Sequence, residues 1–333
     1  MALYIMPYKG FVFNSTNIRT LLDKLNNFVV ATNSDNLTDL KIYKRSTFNA
    51  KFPKLFVETS LPDNIIKGDD QTILISSIGT GTGKVMLNGR ELEYFSLNAF
   101  IGGKYNYATF VPDVVNYGIL FPYTDWISEE GLSAVAIWRN SKRLHIIMSR
   151  VELWPDNTNA EVGIRLFYNF NDKNIYISIG NLLNFSKEPL YPFRFGIFEE
   201  STNINTDVNI VKINIDAIDL NISDGLNLYK YSNLTATELK DAGFTATELK
   251  AAGFTAIELK AAGFQDIELL NIGYSIEDII IDIITDIKNS IITEVDRAKD
   301  AENTLRTSIN TIDIIIPTLL QKTNINNTLK KLK

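Results

Sequence analysis

Apolar positions along this chain keep three different rhythms, one after another. Ile18, Leu21, Leu22, Leu25 and Phe28 recur at helical spacing behind Ser15 and Thr16, which predicts an amphipathic helix of about three turns lying on the sheet that follows. From about Gln71 to Leu228 the pattern changes to short apolar runs separated by turn residues, about eight to ten strands in all. Asn88-Gly89, Asn140-Ser141-Lys142 and Asn171-Asp172-Lys173-Asn174 each separate two such runs and predict hairpins, the first with a tight type I′ turn. No helix-length pattern intervenes, so the strands are expected to pair antiparallel, without crossover helices.

From Thr235 one sentence is written three times, with a degenerate fourth copy from Gln265 to Tyr274. Thr235, Thr245 and Thr255 each precede a glutamate (Glu238, Glu248, Glu258) by three residues, the spacing of a capping box. Gly243, Gly253 and Gly263 stand where a left-handed residue would stop the helix. Leu239, Leu249 and Leu259 would pair with Phe244, Phe254 and Phe264 across each stop, and each ring would also staple onto the next helix. The prediction is a row of two-turn helices, each too short to stand alone.

Beyond the row, Ser275 can cap a long helix from Ile276, with Asp278 in the N3 place. Its apolar seam steps by four and three through Ile291, Val295, Ala298, Glu302, Leu305, Ile309, Ile312, Ile316 and Leu319, the rhythm of a coiled coil. Ile280, Ile284 and Ile287 extend it upstream, with a local stutter at Ile291. Isoleucine in both kinds of core seat leans toward three strands over two. Pro317 is expected to disturb or end this helix, with a loose Asn-rich tail after it.

The expected fold is therefore mainly β with α. An N-terminal segment (1–60) carries one helix, an antiparallel β-sandwich or jelly-roll-like domain spans 61–230, and a helical repeat connector spans 235–274. A coiled-coil helix (275–316) and a tail (317–333) complete the chain.

Tandem decapeptides of the form Thr-x-x-Glu-Leu-Lys-x-Ala-Gly-Phe resemble a repeat found in structural proteins of giant double-stranded DNA viruses and some of their microbial relatives. The stretch Asp296-Arg297-Ala298-Lys299-Asp300-Ala301-Glu302 is similar to coiled-coil shafts of phage and viral fibres. The resemblance implies a virion location, a structural role and no catalytic residues.

Composition narrows the chemistry. A formal charge of −6 disfavours a nucleic-acid surface, which needs clustered Lys and Arg. With no cysteine and one histidine, thiolate chemistry and multi-histidine metal sites are excluded. His145 falls in an apolar strand and reads as a packed core residue. The start of the chain has no basic, long-apolar signal pattern, and acids break the Ile-rich run after Ile276, so neither a secretory signal nor a membrane span is expected. Gly79-Thr80-Gly81-Thr82-Gly83-Lys84 lacks the phosphate-loop spacing and is followed by a strand, so it reads as a flexible, partner-facing loop.

The expectation is a non-enzymatic protein without a cofactor or metal, self-associating as a trimer or dimer and meeting other capsid or virion proteins. Two alternatives remain. Tyr105, Tyr107, Tyr123 and Trp126 crowd a Gly- and Pro-rich stretch and are the candidate contacts for a surface glycan or receptor. Acidic pairs such as Glu129-Glu130 and Glu199-Glu200 raise a glycosidase, although adjacent residues of a strand point to opposite faces.

Overall fold

The computed structural model describes residues 8–15, 18–68, 71–103, 117–123, 126–127, 134–153, 161–183, 194–199, 207–219 and 225–331. The chain divides into two compact units, Met1–Phe264 and Gln265–Lys333. The expected repeat connector is thus divided: three copies belong to the first unit, and the fourth belongs with the long helix.

Two large, almost wholly antiparallel sheets form the first unit. One runs in the order Ile210–Asn214, Gly10–Asn14, Arg194–Phe198, Gly118–Tyr123, Phe100–Gly102, Tyr94–Ser96, Thr72–Leu74. The other runs Leu226–Asn227, Asn36–Lys44, Phe28–Asn33, Asn174–Leu183, Glu161–Asn169, Arg143–Leu153, Ala134–Arg139, Asn64–Ile66, with Trp126–Ile127 pairing beside Arg143–Leu153. The three expected hairpins are present. Asn88 and Gly89 take the positive φ values, 46° and 81°, of a type I′ turn.

One departure from the antiparallel expectation is the pair Gly10–Asn14 and Ile210–Asn214, which is parallel. Strands almost two hundred residues apart need no tight turn, so nothing local fixes their direction.

The N-terminal segment does lay its helix on the sheet, against Asn174–Leu183 and Phe28–Asn33, and it also builds the sheets. It supplies Gly10–Asn14 to one sheet and Phe28–Asn33 and Asn36–Lys44 to the other. Its helix α1 (Ile18–Leu25) is shorter than expected, because Phe28 opens a strand and is no longer a seat of the helix. A second helix, α2 (Arg45–Lys51), is absent from the expected elements, although Phe48 and Phe52 stand one helical turn apart. Its single buried residue, Phe48, decides it, packing with Val29, Phe56 and Phe167 on the nine-stranded sheet. Burying that ring contributes roughly 2 kcal/mol, which outweighs a weak local propensity.

Strand alternation gives the nine-stranded sheet two different faces. On one, Ile137, Ile146, Leu166, Ile177, Val30 and Ile42 lie side by side across six strands, all buried. In the next row Tyr168 hydrogen-bonds Ser34 Oγ at 3.0 Å and donates to Met86 O at 3.1 Å. On the opposite face His145, Phe167 and Tyr176 form a row beneath α2. His145 Nδ1 lies 2.7 Å from Glu58 Oε1, and Arg143 closes on the same carboxylate. His145 is a packed core residue of its strand, as its setting in the sequence suggests.

The glycine-rich stretch at 79–84 is fastened in place. Arg139 donates to Gly83 O at 2.6 Å and to Ile78 O at 3.2 Å. A buried guanidinium needs such acceptors, which explains why this loop is anchored where sequence reading expected it to be flexible.

Candidate functional site

The repeats fold as their spacing dictates. Helices α3 (Ala236–Asp241), α4 (Ala246–Ala251) and α5 (Ala256–Ala261) each carry a complete capping box. In the first, Glu238 N donates to Thr235 Oγ1 at 3.2 Å and Thr235 N donates to Glu238 Oε2 at 2.8 Å. The backbone N–H of Thr235, then its hydroxyl, holds the Glu238 carboxyl below the usual carboxylate range. Each stop uses a left-handed glycine, with φ of 91° at Gly243, 93° at Gly253 and 84° at Gly263. Phe244 N reaches Leu239 O at 2.9 Å and Gly243 N reaches Lys240 O at 2.7 Å, the paired bonds of a Schellman stop. Leu239, Leu249, Leu259 and the three phenylalanines are buried.

The lysines carry a second layer of order that sequence reading missed. Lys240 Nζ lies 4.6 Å from the Phe264 ring centre and donates to Ala262 O at 3.0 Å. Lys230 repeats the arrangement ten residues earlier, 4.4 Å over Phe254 and paired with Glu258. In both, a lysine sits over the ring twenty-four residues ahead, so the row is tied between alternate copies as well as neighbours.

Lys230 therefore occupies the lysine place of a cryptic copy before the first. Its companions fit: Tyr229 stands in the leucine place, fully buried and 5.1 Å from the Phe244 ring, while Asn233 and Leu234 stand for Gly and Phe. Burial raises the Tyr229 hydroxyl far above its ordinary value, and it donates to Leu37 O at 2.8 Å, which joins the row to the sheet. The available signal was the ten-residue offset of Lys230 from Lys240.

The second unit begins with α6 (Asp266–Asn271), whose Gln265 makes no side-chain cap although its stop keeps the pattern. Helix α7 spans Ile276–Lys331, 56 residues or about 84 Å. Ser275 caps it as expected, with Asp278 N donating to Ser275 Oγ at 3.0 Å and Ser275 N to Asp278 Oδ2 at 3.0 Å. The expected end at Pro317 is not observed, and neither is the loose tail at once beyond it. Proline removes one N–H at a local cost of about 3 kcal/mol, and long helical runs on both sides carry the turn through.

The seam residues of α7 face water. Ile287, Ile291, Val295, Leu305, Ile309 and Ile312 are between 45% and 63% exposed, Ala298 is also exposed, and Ile280 and Ile284 are half-buried. Glu294 pairs with Arg297 at 2.7 Å beside this row, and Glu302, the polar seat within it, pairs with Arg306 at 3.0 Å. Threonine hydroxyls, Thr304 and Thr311 among them, bond back to carbonyls one turn earlier.

None of the four candidate ligand contacts has a described side chain. Tyr105 and Tyr107 lie outside the described residues, as do the side chains of Tyr123 and Trp126. Two neighbours from the same aromatic run turn inward. Phe121 is buried against Phe95, and Tyr117 is held by Arg90 and by Glu91 O. Glu129, Glu130 and Glu200 also lie outside the described residues.

Among the described residues, no group of three or more His, Cys, Asp or Glu could hold a metal ion, and no helix is long and apolar enough to cross a membrane. No curated protein and no solved structure matches the chain. A family model described as a decapeptide repeat region matches residues 228–281, a match that opens inside the cryptic copy and closes just within α7.

Proposed function

We propose that this chain is a non-enzymatic structural component of a virus particle or similar assembly, capsid-associated or fibre-like, that self-associates through α7. The observation that supports this is the exposed aliphatic seam, which keeps its four-three rhythm over four heptads. Such a row is costly in water at about 25 cal/mol per Å² of apolar surface, and a matching row on another copy relieves it. The virion setting rests on the likeness of the repeats and of the Arg297–Glu302 stretch to viral structural proteins. In this reading the β unit docks to a shell protein, a receptor or a surface glycan, the repeats set reach, and α7 sets copy number at two or three.

Light scattering over a range of concentrations tests it. The full chain is expected at two or three times 37.6 kDa, and Ile309→Glu with Ile312→Glu at one times that mass. Charging two adjacent seam layers costs several kcal/mol, enough to dissociate the assembly at micromolar concentration. A wild-type chain that stays monomeric throughout overturns the reading.

A further inference from the structure

We infer that α7 pairs with a second copy of itself antiparallel. This rests on the self-association proposed above and adds its direction. Charge is unevenly spread along the helix. Over 283–331, the stretch that overlaps in a register centred on Thr307, residues 283–306 hold five acids and four bases, a net −1, whereas residues 308–331 hold one acid and three bases, a net +2. A parallel pair lays the acidic half along the acidic half. An antiparallel pair lays it along the basic half, and the two helix dipoles also oppose.

The seam selects a register. Ile291, Ala298 and Leu305 take d seats, and Val295, Glu302 and Ile309 take a seats. In an antiparallel pair each a seat shares a layer with a d seat of the other helix. Centring the pair on Thr307 layers Val295 with Leu319 of the second copy, Ile309 with Leu305 of the second copy, and Glu302 with Ile312 of the second copy. The flanking seats then agree: Lys299 meets Asp313 of the second copy, Glu294 meets Lys322, and Ile292 meets Leu320. The one like-charged meeting is Arg306 with itself, and each Arg306 already holds the Glu302 of its own helix.

Parallel packing would instead stack Glu302 on Glu302 in the core of the seam. A shared layer of two carboxylates is unfavourable, whereas a single one beside an aliphatic seat and its own arginine is tolerated.

Geometry follows from direction. The two Ile276 ends lie about 90 Å apart at 1.5 Å per residue, one at each end of the rod, and each leads back to a β unit.

The absence of native cysteine allows a direct test on the full chain. Val295→Cys and Leu319→Cys proteins are made separately, mixed, dissociated, reassociated and oxidised. The inference expects disulfides only between the two variants, and none in either variant alone. In a parallel pair these positions are about 36 Å apart, so each variant would link to itself and the mixed product would be missing. Self-links in either variant overturn the antiparallel rod. Light scattering on the same samples separates the causes: associated but self-linked chains leave the assembly reading standing, while monomers overturn both.

Discussion

His145 shows how one side chain joins packing to pH. Its ring lies 5.7 Å from Trp138, 6.0 Å from Phe56 and 5.6 Å from Phe167, and burial lowers its pKa from 6.5, with the hydrogen bond to Glu58 opposing in part. The folded chain therefore binds a proton at this site less readily than the unfolded one. Stability from this group is full above 6.5, and the penalty grows as pH falls from 6.5 through the lowered folded value. Replacing His145 by Phe is expected to cost about 1–2 kcal/mol at pH 7 through the lost hydrogen bond, and to flatten the decline between pH 7 and pH 5. Thermal unfolding of both proteins at the two pH values measures this. Equal declines would show that the histidine is not the sensor. Sequence alone placed His145 correctly in a buried strand but not its partner, because Glu58 is eighty-seven residues away and follows an unpredicted helix.

At the scale of elements, the decapeptide row was legible because its rules are local. A cap three residues from its glutamate and a glycine at the stop act within one copy, so the spacing alone specifies them. The lysine rungs act between copies twenty-four residues apart, and their signal is only a repeated lysine that reads equally well as solvated charge. Lys240→Met keeps the stem and removes the ammonium, so it tests the rung without opening a hole. The loss is expected at about 1–2 kcal/mol, the sum of a cation–π contact and a hydrogen bond. Amide exchange should quicken in α3 and α5 together, the two helices the rung joins, with the nine-stranded sheet unchanged. Confinement of the change to α3 would mean that the rung carries no coupling. Helix α2 and the parallel pair were illegible for the same physical reason as the rung. Phe48 finds Val29 and Phe167 on strands outside its own segment, and Gly10–Asn14 finds its neighbour only after the chain has returned.

For the whole molecule, the two units are held by different forces, and that difference is measurable. The first buries long cross-strand aliphatic rows within one chain, so its stability does not depend on how many chains are present. The second leaves its apolar seam in water unless another copy covers it. On the self-association proposed above, mass action stabilises only the second: raising the total concentration a hundredfold favours an associated form by roughly 3 kcal/mol. Unfolding followed by circular dichroism at 222 nm, where helix dominates, is expected to show a transition whose midpoint rises with concentration. Tryptophan fluorescence, from Trp126, Trp138 and Trp154, all in the first unit, should report a midpoint that stays fixed. Ile309→Glu with Ile312→Glu should abolish the concentration dependence and leave the fluorescence transition in place. A single transition, identical by both probes at every concentration, would mean that α7 owes its stability to its own chain and that its seam is not an assembly surface.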